Sequence, residues 1–508
     1  MAGISPHVPP GAPGPGRAAL NWQHRSTAFR DAGTTHGTLP ASHLALDLST
    51  IVGVALACVF WGFAVVIAEW NALIVGVALF ACALILLDFR IGVVLLIVLM
   101  PISSSTLFPH AIAGVTGLNP VNLLLAGTLG SCLLHALSGR SIARFVPRPL
   151  LWLYIVPFLI AGVLGSRHVD DIALYYFISG YVNFSGAAGY LRDLVIKPIF
   201  LVLFALLVAA AVARTREPEK FLLPTLVSVW VMGLMVVVYF ILSGSSLGEL
   251  ASSSEREFLS PLGLHANELG RLYAIAYALL LFSWAGTKDY GVKLALLASI
   301  GVVVVALGLT FSRAGFVGFV LVSVLFLFSR RQIGSLILGT IVAAAALYFL
   351  PDAVYHRVTT GFGSGLNAIS AGRIDGIWRP LLPEVLNSPL YGHGLWSILW
   401  SDAVRSGRAT LVTHPHNAYL QTVLDMGFVG LILVCGYFAH VWKGFRELSV
   451  DPDLSAGGRG FYQGAAAGLI AFLIMGITDG SLTPKPEQGF LWLAIGMMYG
   501  QRARKAAT

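Results

Sequence analysis

The sequence predicts an all-α polytopic membrane protein, and three observations carry that prediction. Hydrophobic residues make up 57% of the 508 residues and charged residues only 11%, whereas a soluble globular protein carries about 25% charged residues. Apolar runs long enough to cross a bilayer, roughly 17–25 residues each, recur along the chain. Each run is continuous apolar sequence, and within lipid only a helix satisfies the backbone polar groups of such a run.

The apolar runs predict about 12–14 transmembrane helices, the uncertainty arising from two short runs at 72–87 and 314–328. The candidate spans are residues 47–69, 72–87, 91–107, 120–138, 149–165, 191–212, 221–243, 267–286, 291–311, 314–328, 333–350, 417–440, 461–478 and 488–501.

The spans divide the chain into five regions. Residues 1–45 lack the pattern of a cleaved signal peptide and are predicted to form a disordered cytoplasmic tail. Transmembrane helices follow over 46–350, then a large loop over 351–416, further transmembrane helices over 417–501, and a cytoplasmic tail over 502–508. The loop 351–416 is much longer than an ordinary connection, which indicates a functional segment.

Loop charges orient the spans. One set of alternate loops and the C-terminal tail concentrate the basic residues, and the positive-inside rule places this set and both termini in the cytoplasm. Its members are Arg90, Arg140, Arg144, Arg148, Arg214, Arg216, Lys220, Lys288, Lys293, Arg330, Arg331, Lys443, Arg446, Arg459, Arg502, Arg504 and Lys505. The loop 351–416 then faces outward.

Composition also excludes several classes of function. The net charge of +8 resides in loops where membrane orientation requires it, so nucleic-acid binding has no support. The four cysteines lie within apolar runs and form no Cys-x-x-Cys pair, so neither a disulfide framework nor a zinc site is expected. No cofactor is predicted.

His414, His416 and Asn417 open the predicted span 417–440 and are the first candidates for chemistry. Polar residues at the mouth of a span are costly unless they are used, and histidine is the natural general base near neutral pH. The alternative is a polar helix start with interfacial histidines. A two-histidine metal site lacks a nearby third ligand with convincing spacing, so no metal is predicted.

Two arginines are candidates for binding phosphate. Arg313 lies at the outer end of a tight helical hairpin, where it is either a snorkelling anchor or a clamp for phosphate oxygens. Arg373 lies in the outer loop, where it either pairs with Asp375 or Glu384 on the surface or binds phosphate as well.

Three further charged residues lie at outer span mouths: Arg192, Arg271 and Asp479. Arg192 and its neighbour Asp193 could simply neutralise each other. The candidates come from separate stretches of the chain, yet all are predicted at one outer membrane level. A base with several arginines at that level suits a substrate with a lipid tail and a diphosphate head.

Four elements, in this order, resemble the landmarks of the O-antigen ligase-related superfamily, and the resemblance covers about residues 48–500. They are Ser312-Arg313-Ala314-Gly315, then Gly372-Arg373 before Trp378, then Gly392-x-Gly394, and finally His414-Pro415-His416-Asn417-Ala418-Tyr419-Leu420 with the downstream Asp425-x-Gly427-x-x-Gly430.

The resemblance implies a multi-spanning glycosyltransferase (GT-C-like) architecture with a large periplasmic loop, in a bacterial inner membrane. It implies an inverting, metal-independent enzyme whose donor is a glycan on undecaprenyl diphosphate. His416 corresponds to the family's essential histidine, Arg313 and Arg373 to its essential arginines, and Asp479 to a late acidic residue. His414, Asn417, Arg192 and Arg271 are supporting candidates.

Several functions remain open on sequence alone. The favoured one is O-antigen ligation to lipid A–core, which implies a Gram-negative bacterium. An O-antigen or exopolysaccharide polymerase, which uses a lipid-linked acceptor, shares the same signature. A transporter of a small anion or a lipid-linked sugar is the alternative from another class, although the chain shows no clear internal repeat. A purely structural scaffold is a further alternative.

Overall fold

The computed structural model describes residues 70–106, 111–112, 115–116, 119–138, 146–246, 254–330 and 363–506, together with the single positions 56, 59, 62, 355 and 359. The chain divides into two compact units, Met1–Val77 and Ala78–Thr508, and the helices that build the site belong to the second. Apart from single positions, the predicted tail 1–45 and the predicted spans 47–69 and 333–350 lie outside the described residues.

The described part of the chain is built from helices. They are α1 (Trp70–Leu87), α2 (Phe89–Leu99), α3 (Pro120–Ser138), α4 (Arg148–Asp171), α5 (Leu174–Ile178), α6 (Gly186–Ala213), α7 (Pro218–Ser243), α8 (Ala266–Gly286), α9 (Tyr290–Leu309), α10 (Arg313–Arg330), α11 (Leu366–Ile369), α12 (Arg379–Asn387), α13 (Asp402–Arg405), α14 (Ala418–Ser449), α15 (Ala456–Met475) and α16 (Gly489–Lys505). A two-residue antiparallel pairing joins Ala111–Ile112 to Val115–Thr116.

Eight helices within the described ranges are long and apolar enough to cross a membrane, namely α3, α4, α6, α7, α8, α9, α10 and α14. The all-α polytopic class is therefore confirmed. The predicted spans 72–87, 91–107, 461–478 and 488–501 coincide with α1, α2, α15 and α16, which lie outside that set. The total of 12–14 spans stays a prediction.

The predicted span 417–440 is too short, because α14 continues to Ser449. Charged residues interrupt its last turns and lower the hydropathy, but Val441, Phe445 and Leu448 remain buried along one face. Helical periodicity of burial, rather than apolar run length, sets this end of the helix.

The core is centred on α8, in which most side chains are buried. Glycines of α15 let the two backbones approach closely: a Cβ atom at Gly460 would lie 2.3 Å from the carbonyl oxygen of Phe282, and one at Gly464 would lie 2.4 Å from that of Ala278. Small residues at such interfaces strengthen van der Waals packing between helices in lipid. This packing brings the residues that follow α15 to the beginning of α8.

A kink in α14 accepts part of the long loop. Gly427 has φ 68° and ψ −176° inside the helix, a conformation that favours glycine. The backbone N–H of His393 donates to Leu424 O at 2.8 Å, and that of Gly394 donates to Asp425 O at 3.0 Å. The Asp425 carboxylate in turn accepts from the backbone and hydroxyl of Ser397, both at 3.1 Å. The kink therefore fixes the loop to the helix that follows the two histidines.

Candidate active site

Most of the candidate residues meet at one end of the helix bundle. At this end α8, α10, α14 and α16 begin, whereas α9 and α15 finish. Because successive helices run in opposite directions, ends that are far apart in sequence come to lie at one level. The contacts among them run through Asp479, in the turn after α15.

Asp479 lies at the centre of the cluster, with 7% of its side chain exposed. Its Oδ1 lies 3.2 Å from His416 Nδ1 and 3.5 Å from His414 Nε2. Its Oδ2 accepts from Asn267 Nδ2 at 2.8 Å and lies 3.4 Å from the Arg271 guanidinium. Burial opposes ionisation, but hydrogen bonds from both histidines and the charge of Arg271 hold the pKa of this carboxyl well below its usual 3.8. Asp479 is therefore ionised at neutral pH.

His416 is held at the mouth of α14 by the residues beside it. It is a non-glycine residue with φ 51°, a left-handed conformation that is uncommon and concentrates at functional sites. Asn417 caps α14, because its Oδ1 accepts from two backbone N–H groups of the first turn at 3.0 Å each. On the other side, Trp378 Nε1 donates to Pro415 O at 2.8 Å. Asn417 thus fixes the orientation of the segment that carries His416.

His414 is a neutral neighbour of His416, and the two ring centroids are 4.1 Å apart. Burial lowers the pKa of His414 to about 4, even though the hydrogen bond to Asp479 acts in the opposite direction. Its Nδ1 lies 3.2 Å from Thr413 Oγ1. These partners assign the ring N–H of His414 to Nε2, facing Asp479. In a neutral His416 ring, the same assignment places the N–H on Nδ1 and leaves a lone pair on Nε2.

A buried ion pair supports Asp479 from behind. Arg271 and Glu487 expose 2% and 1% of their side chains, and Arg271 NH2 lies 3.1 Å from Glu487 Oε1. Burial, followed by the charge of Glu268, raises the pKa of Glu487. Arg271 therefore stands between two carboxylates, which compensate its charge in a site with little access to water.

Arg313 and Arg373 line one cavity of about 530 Å³ beside Asp479, here called the arginine cavity. Arg373 donates to Thr478 O, and burial, with the neighbouring Arg313 and Arg271, lowers its pKa from the usual 12.5. Apolar side chains of α10 line one wall of this cavity, namely Phe316, Val317, Val320, Leu321 and Val324.

Arg373 does not form the surface ion pair with Asp375 or Glu384 that the sequence left open. Asp375 pairs with Arg379 at 2.6 Å, and the Glu384 carboxylate accepts from the backbone N–H of Ala403 at 2.9 Å. Arg373 points instead toward the turn that carries Asp479, as its bond to Thr478 O requires.

A second cavity of about 570 Å³ has Glu487 in its wall. Its polar residues include carboxylates, amides, hydroxyls and two lysines rather than arginines: Ser103, Ser104, Asn119, Asn122, Asp193, Lys197, Glu268, Thr483 and Lys485. Because Asp479 lines one cavity, Glu487 lines the other, and Arg271 pairs with both, the two cavities flank one ionic network.

Two sequence candidates have roles outside the cluster. Arg192 pairs with Asp193 at 3.0 Å, as the neutralising alternative expects. Gly392 and Gly394 approach protein backbone: a Cβ atom at Gly392 would lie 2.5 Å from the carbonyl carbon of Asp425, and one at Gly394 would lie 2.2 Å from Gly165 N. The Gly-x-Gly element therefore packs the loop against α14 and α4.

Sequence reasoning missed Glu487. This polar residue directly precedes the predicted span 488–501 and therefore gives the same signal that selected Arg271 and Asp479. A buried arginine requires a compensating carboxylate, so Arg271 itself indicated that an acidic residue such as Glu487 had to lie nearby.

The fold and this site define a helical integral membrane protein with a histidine–aspartate pair beside an arginine-lined cavity. A family model described as O-Antigen ligase matches residues 294–435, a segment that contains Arg313, Arg373, His414 and His416. This segment is similar to the O-antigen ligase-related superfamily, a family of glycosyltransferase-type enzymes that act on lipid-linked glycans. No curated protein matches the chain.

Proposed function

We propose that the protein transfers a glycan from undecaprenyl diphosphate to a sugar hydroxyl of lipid A–core, at the periplasmic face of a bacterial inner membrane. Both termini are cytoplasmic in this proposal, and the architecture is of the multi-spanning GT-C-like type. The observation that carries it is the contact of His416 Nδ1 with the ionised Asp479 beside a cavity lined by two arginines.

The histidine–aspartate pair suits general base catalysis. Asp479 accepts a hydrogen bond from Nδ1 of His416 at 3.2 Å, which leaves Nε2 available for a proton from the acceptor hydroxyl. The same carboxylate stabilises the imidazolium that forms. As the proton moves to Nε2, the acceptor oxygen attacks the anomeric carbon and the bond from that carbon to the diphosphate oxygen breaks.

The arginines suit the leaving group. The diphosphate departs with the bonding electron pair, and its negative charge grows as the bond breaks. Arg313 and Arg373 line one cavity, and arginine binds phosphate oxygens in a bidentate manner. Fixed positive groups at the point where charge develops stabilise the transition state, so a divalent metal is not required for departure.

The two cavities suit two lipid-linked substrates. Phe316, Val320 and other apolar residues of α10 extend the arginine cavity along the helix, where a polyprenyl chain would lie. The hydroxyl- and amide-rich second cavity offers hydrogen-bonding partners for a sugar acceptor. Attack from that side, opposite the departing diphosphate, inverts the anomeric carbon.

The test is deletion of the gene, followed by complementation with the wild-type protein, with His416→Ala and with His168→Ala. Cell lipopolysaccharide is then resolved on a silver-stained gel. His168 is a matched control, because it also pairs with a carboxylate, Asp171, at 3.1 Å, but is 40% exposed.

For a ligase, deletion reduces the ladder to bare core while polymer accumulates on the lipid carrier. Wild-type and His168→Ala proteins restore the ladder, and His416→Ala does not. Core that carries a single repeat unit would identify a polymerase instead. An unchanged ladder would point to another glycan, such as an exopolysaccharide, or another acceptor. Full rescue by His416→Ala would refute the base mechanism.

A further inference from the structure

We propose that His414, His416 and Asp479 form a binding site for one borderline transition-metal ion of the Zn²⁺ class, and that the bound ion inhibits the enzyme. Metal binding itself is independent of the proposed glycan transfer. The inhibitory effect rests on the proposed role of His416 as the base.

The spacing of the three ligand atoms suits a tetrahedral ion. Bonds of 2.0–2.2 Å to such an ion separate neighbouring ligands by about 3.3–3.6 Å. His416 Nδ1 and His414 Nε2 lie 3.2 Å and 3.5 Å from Asp479 Oδ1, and the three ligand atoms all lie within 4.8 Å of one another. A small movement of side chains would let one ion replace the two histidine–carboxylate contacts.

The third ligand is what sequence reasoning could not supply. Near His414 and His416 in the sequence, no further ligand has convincing metal-binding spacing. The packing of α15 against α8 instead brings Asp479, 63 residues beyond His416, to the same point. Together the residues provide two imidazoles and one carboxylate, which is a common donor set for zinc.

Groups behind the ligands already hold them in orientation. Thr413 Oγ1 lies 3.2 Å from the remote Nδ1 of His414. Asn267 and Arg271 hold the second carboxylate oxygen of Asp479, and Gly480 N donates to the first at 2.8 Å. Partners of this kind fix metal-binding histidines and carboxylates and raise affinity.

Ligand type and local charge determine which ions bind. Imidazole nitrogen favours Zn²⁺, Co²⁺ and Cu²⁺ over Mg²⁺ and Ca²⁺, which prefer oxygen ligands. Glu487 compensates Arg271, but Arg313 and Arg373 also lie near Asp479. Their positive charge weakens cation binding, so a reversible site is expected rather than a permanently filled structural one.

The consequence for His416 follows from its two ring nitrogens. A neutral imidazole carries one proton, and a metal on Nδ1 forces that proton onto Nε2. In the proposed mechanism, Nε2 receives the proton of the sugar hydroxyl that attacks the donor. The ion therefore blocks the base.

Co²⁺ is the probe for binding, because its visible d–d absorption distinguishes tetrahedral from octahedral coordination. The full-length protein, purified in detergent without a histidine tag, should bind one Co²⁺ with a tetrahedral spectrum. Zn²⁺ should abolish that spectrum, and excess Mg²⁺ should leave it unchanged.

Loss of a group that only orients a ligand costs about 10–100-fold in affinity, so His414→Gln should weaken Co²⁺ binding by at least that factor. His168→Gln is the matched control, because His168 also lies beside a carboxylate, and it should not change binding. An octahedral spectrum, or a spectrum that His414→Gln leaves intact, would overturn the site.

Inhibition is tested separately, by glycan transfer in vitro at Zn²⁺ concentrations that displace Co²⁺ from the site. Transfer should stop as the site fills and return when a chelator is added. Continued transfer with the site filled would refute the blocking of His416 while the metal site stands. Absence of any Co²⁺ site would refute the metal proposal and leave the transferase proposal intact.

Discussion

Replacement of Asp479 by asparagine tests the central contact of the site. The side chain keeps its size, but one of its two acceptor oxygens becomes an NH₂ donor. If the NH₂ faces Asn267 and Arg271, it meets two donors at the positions now 2.8 Å and 3.4 Å away. If it turns the other way, it meets the N–H groups of His414 and His416. Either orientation disrupts half of the cluster.

The expected loss of rate follows from the role of the carboxylate. Without the negative charge, His416 loses both the partner that fixes its tautomer and the stabilisation of its protonated form. General base catalysis contributes about 10²–10⁴-fold, so kcat should fall by that factor, or about 3–5 kcal/mol in activation free energy. The KM for the donor should change little, because Arg313 and Arg373 remain.

The cost in stability should be smaller than the cost in rate. Arg271 keeps Glu487 as a partner at 3.1 Å, so the variant leaves a partly compensated charge. A loss of about 1–3 kcal/mol, the usual cost of one unsatisfied buried group, is expected.

The assay is steady-state transfer by purified protein, with thermal unfolding measured on the same preparations. Asp425→Asn is the matched control, because Asp425 is a buried carboxylate whose hydrogen bonds go to Ser397 in the loop. It should lower the unfolding temperature with little change in kcat per folded molecule. A folded Asp479→Asn protein whose kcat stays within about threefold of wild type would refute the reasoning, since that factor is far below the expected one.

Three further predictions follow from the same contacts. Arg373→Lys should raise the donor KM and lower kcat by about tenfold or more, because lysine loses bidentate phosphate binding; equal kinetics with an Arg379→Lys control would contradict the clamp. The pKa of His414 falls from 6.5 to about 4 on folding, so the unfolded state binds more protons between these two pH values. The free energy of unfolding should therefore decline as pH falls through this window, by at most about 3 kcal/mol. His414→Gln should flatten that decline in thermal unfolding curves, and an unchanged slope would assign the pH dependence to another group. Gly427→Ala should lower the free energy of unfolding by about 2 kcal/mol or more. The residue has a positive φ, and the added Cβ would lie 2.2 Å from Leu390 O. Wild-type stability in a denaturant titration would show that the kink relaxes.

The helices could be predicted well from the sequence, for a physical reason. Lipid requires each span to be a continuous apolar helix, so hydropathy alone locates α8, α9 and α10 to within a few residues. Where burial depends on helix faces instead, the prediction fails, as at the end of α14.

The site could be predicted in part. Polar residues at the end of a membrane span carry a free-energy penalty unless they have a functional role, and this criterion selects residues such as His416, Arg313 and Asp479. The criterion does not show which of these residues contact each other. Asn417 and Arg271 raised the same signal, yet one is a helix cap and the other half of a buried ion pair. Those differences arise from packing between distant segments, which local spacing does not encode.

The ionic network of Arg271, Asp479 and Glu487 also sets an order of events during synthesis. Arg271 emerges from the ribosome more than 200 residues before its two carboxylate partners, and His416 emerges before both of them. Until the turn after α15 and the start of α16 are in place, His416 has no aspartate partner and the buried Arg271 has no counter-charge. On the proposed mechanism, a nascent or truncated chain is therefore inactive toward lipid-linked glycans, and activity requires the last helices of the bundle.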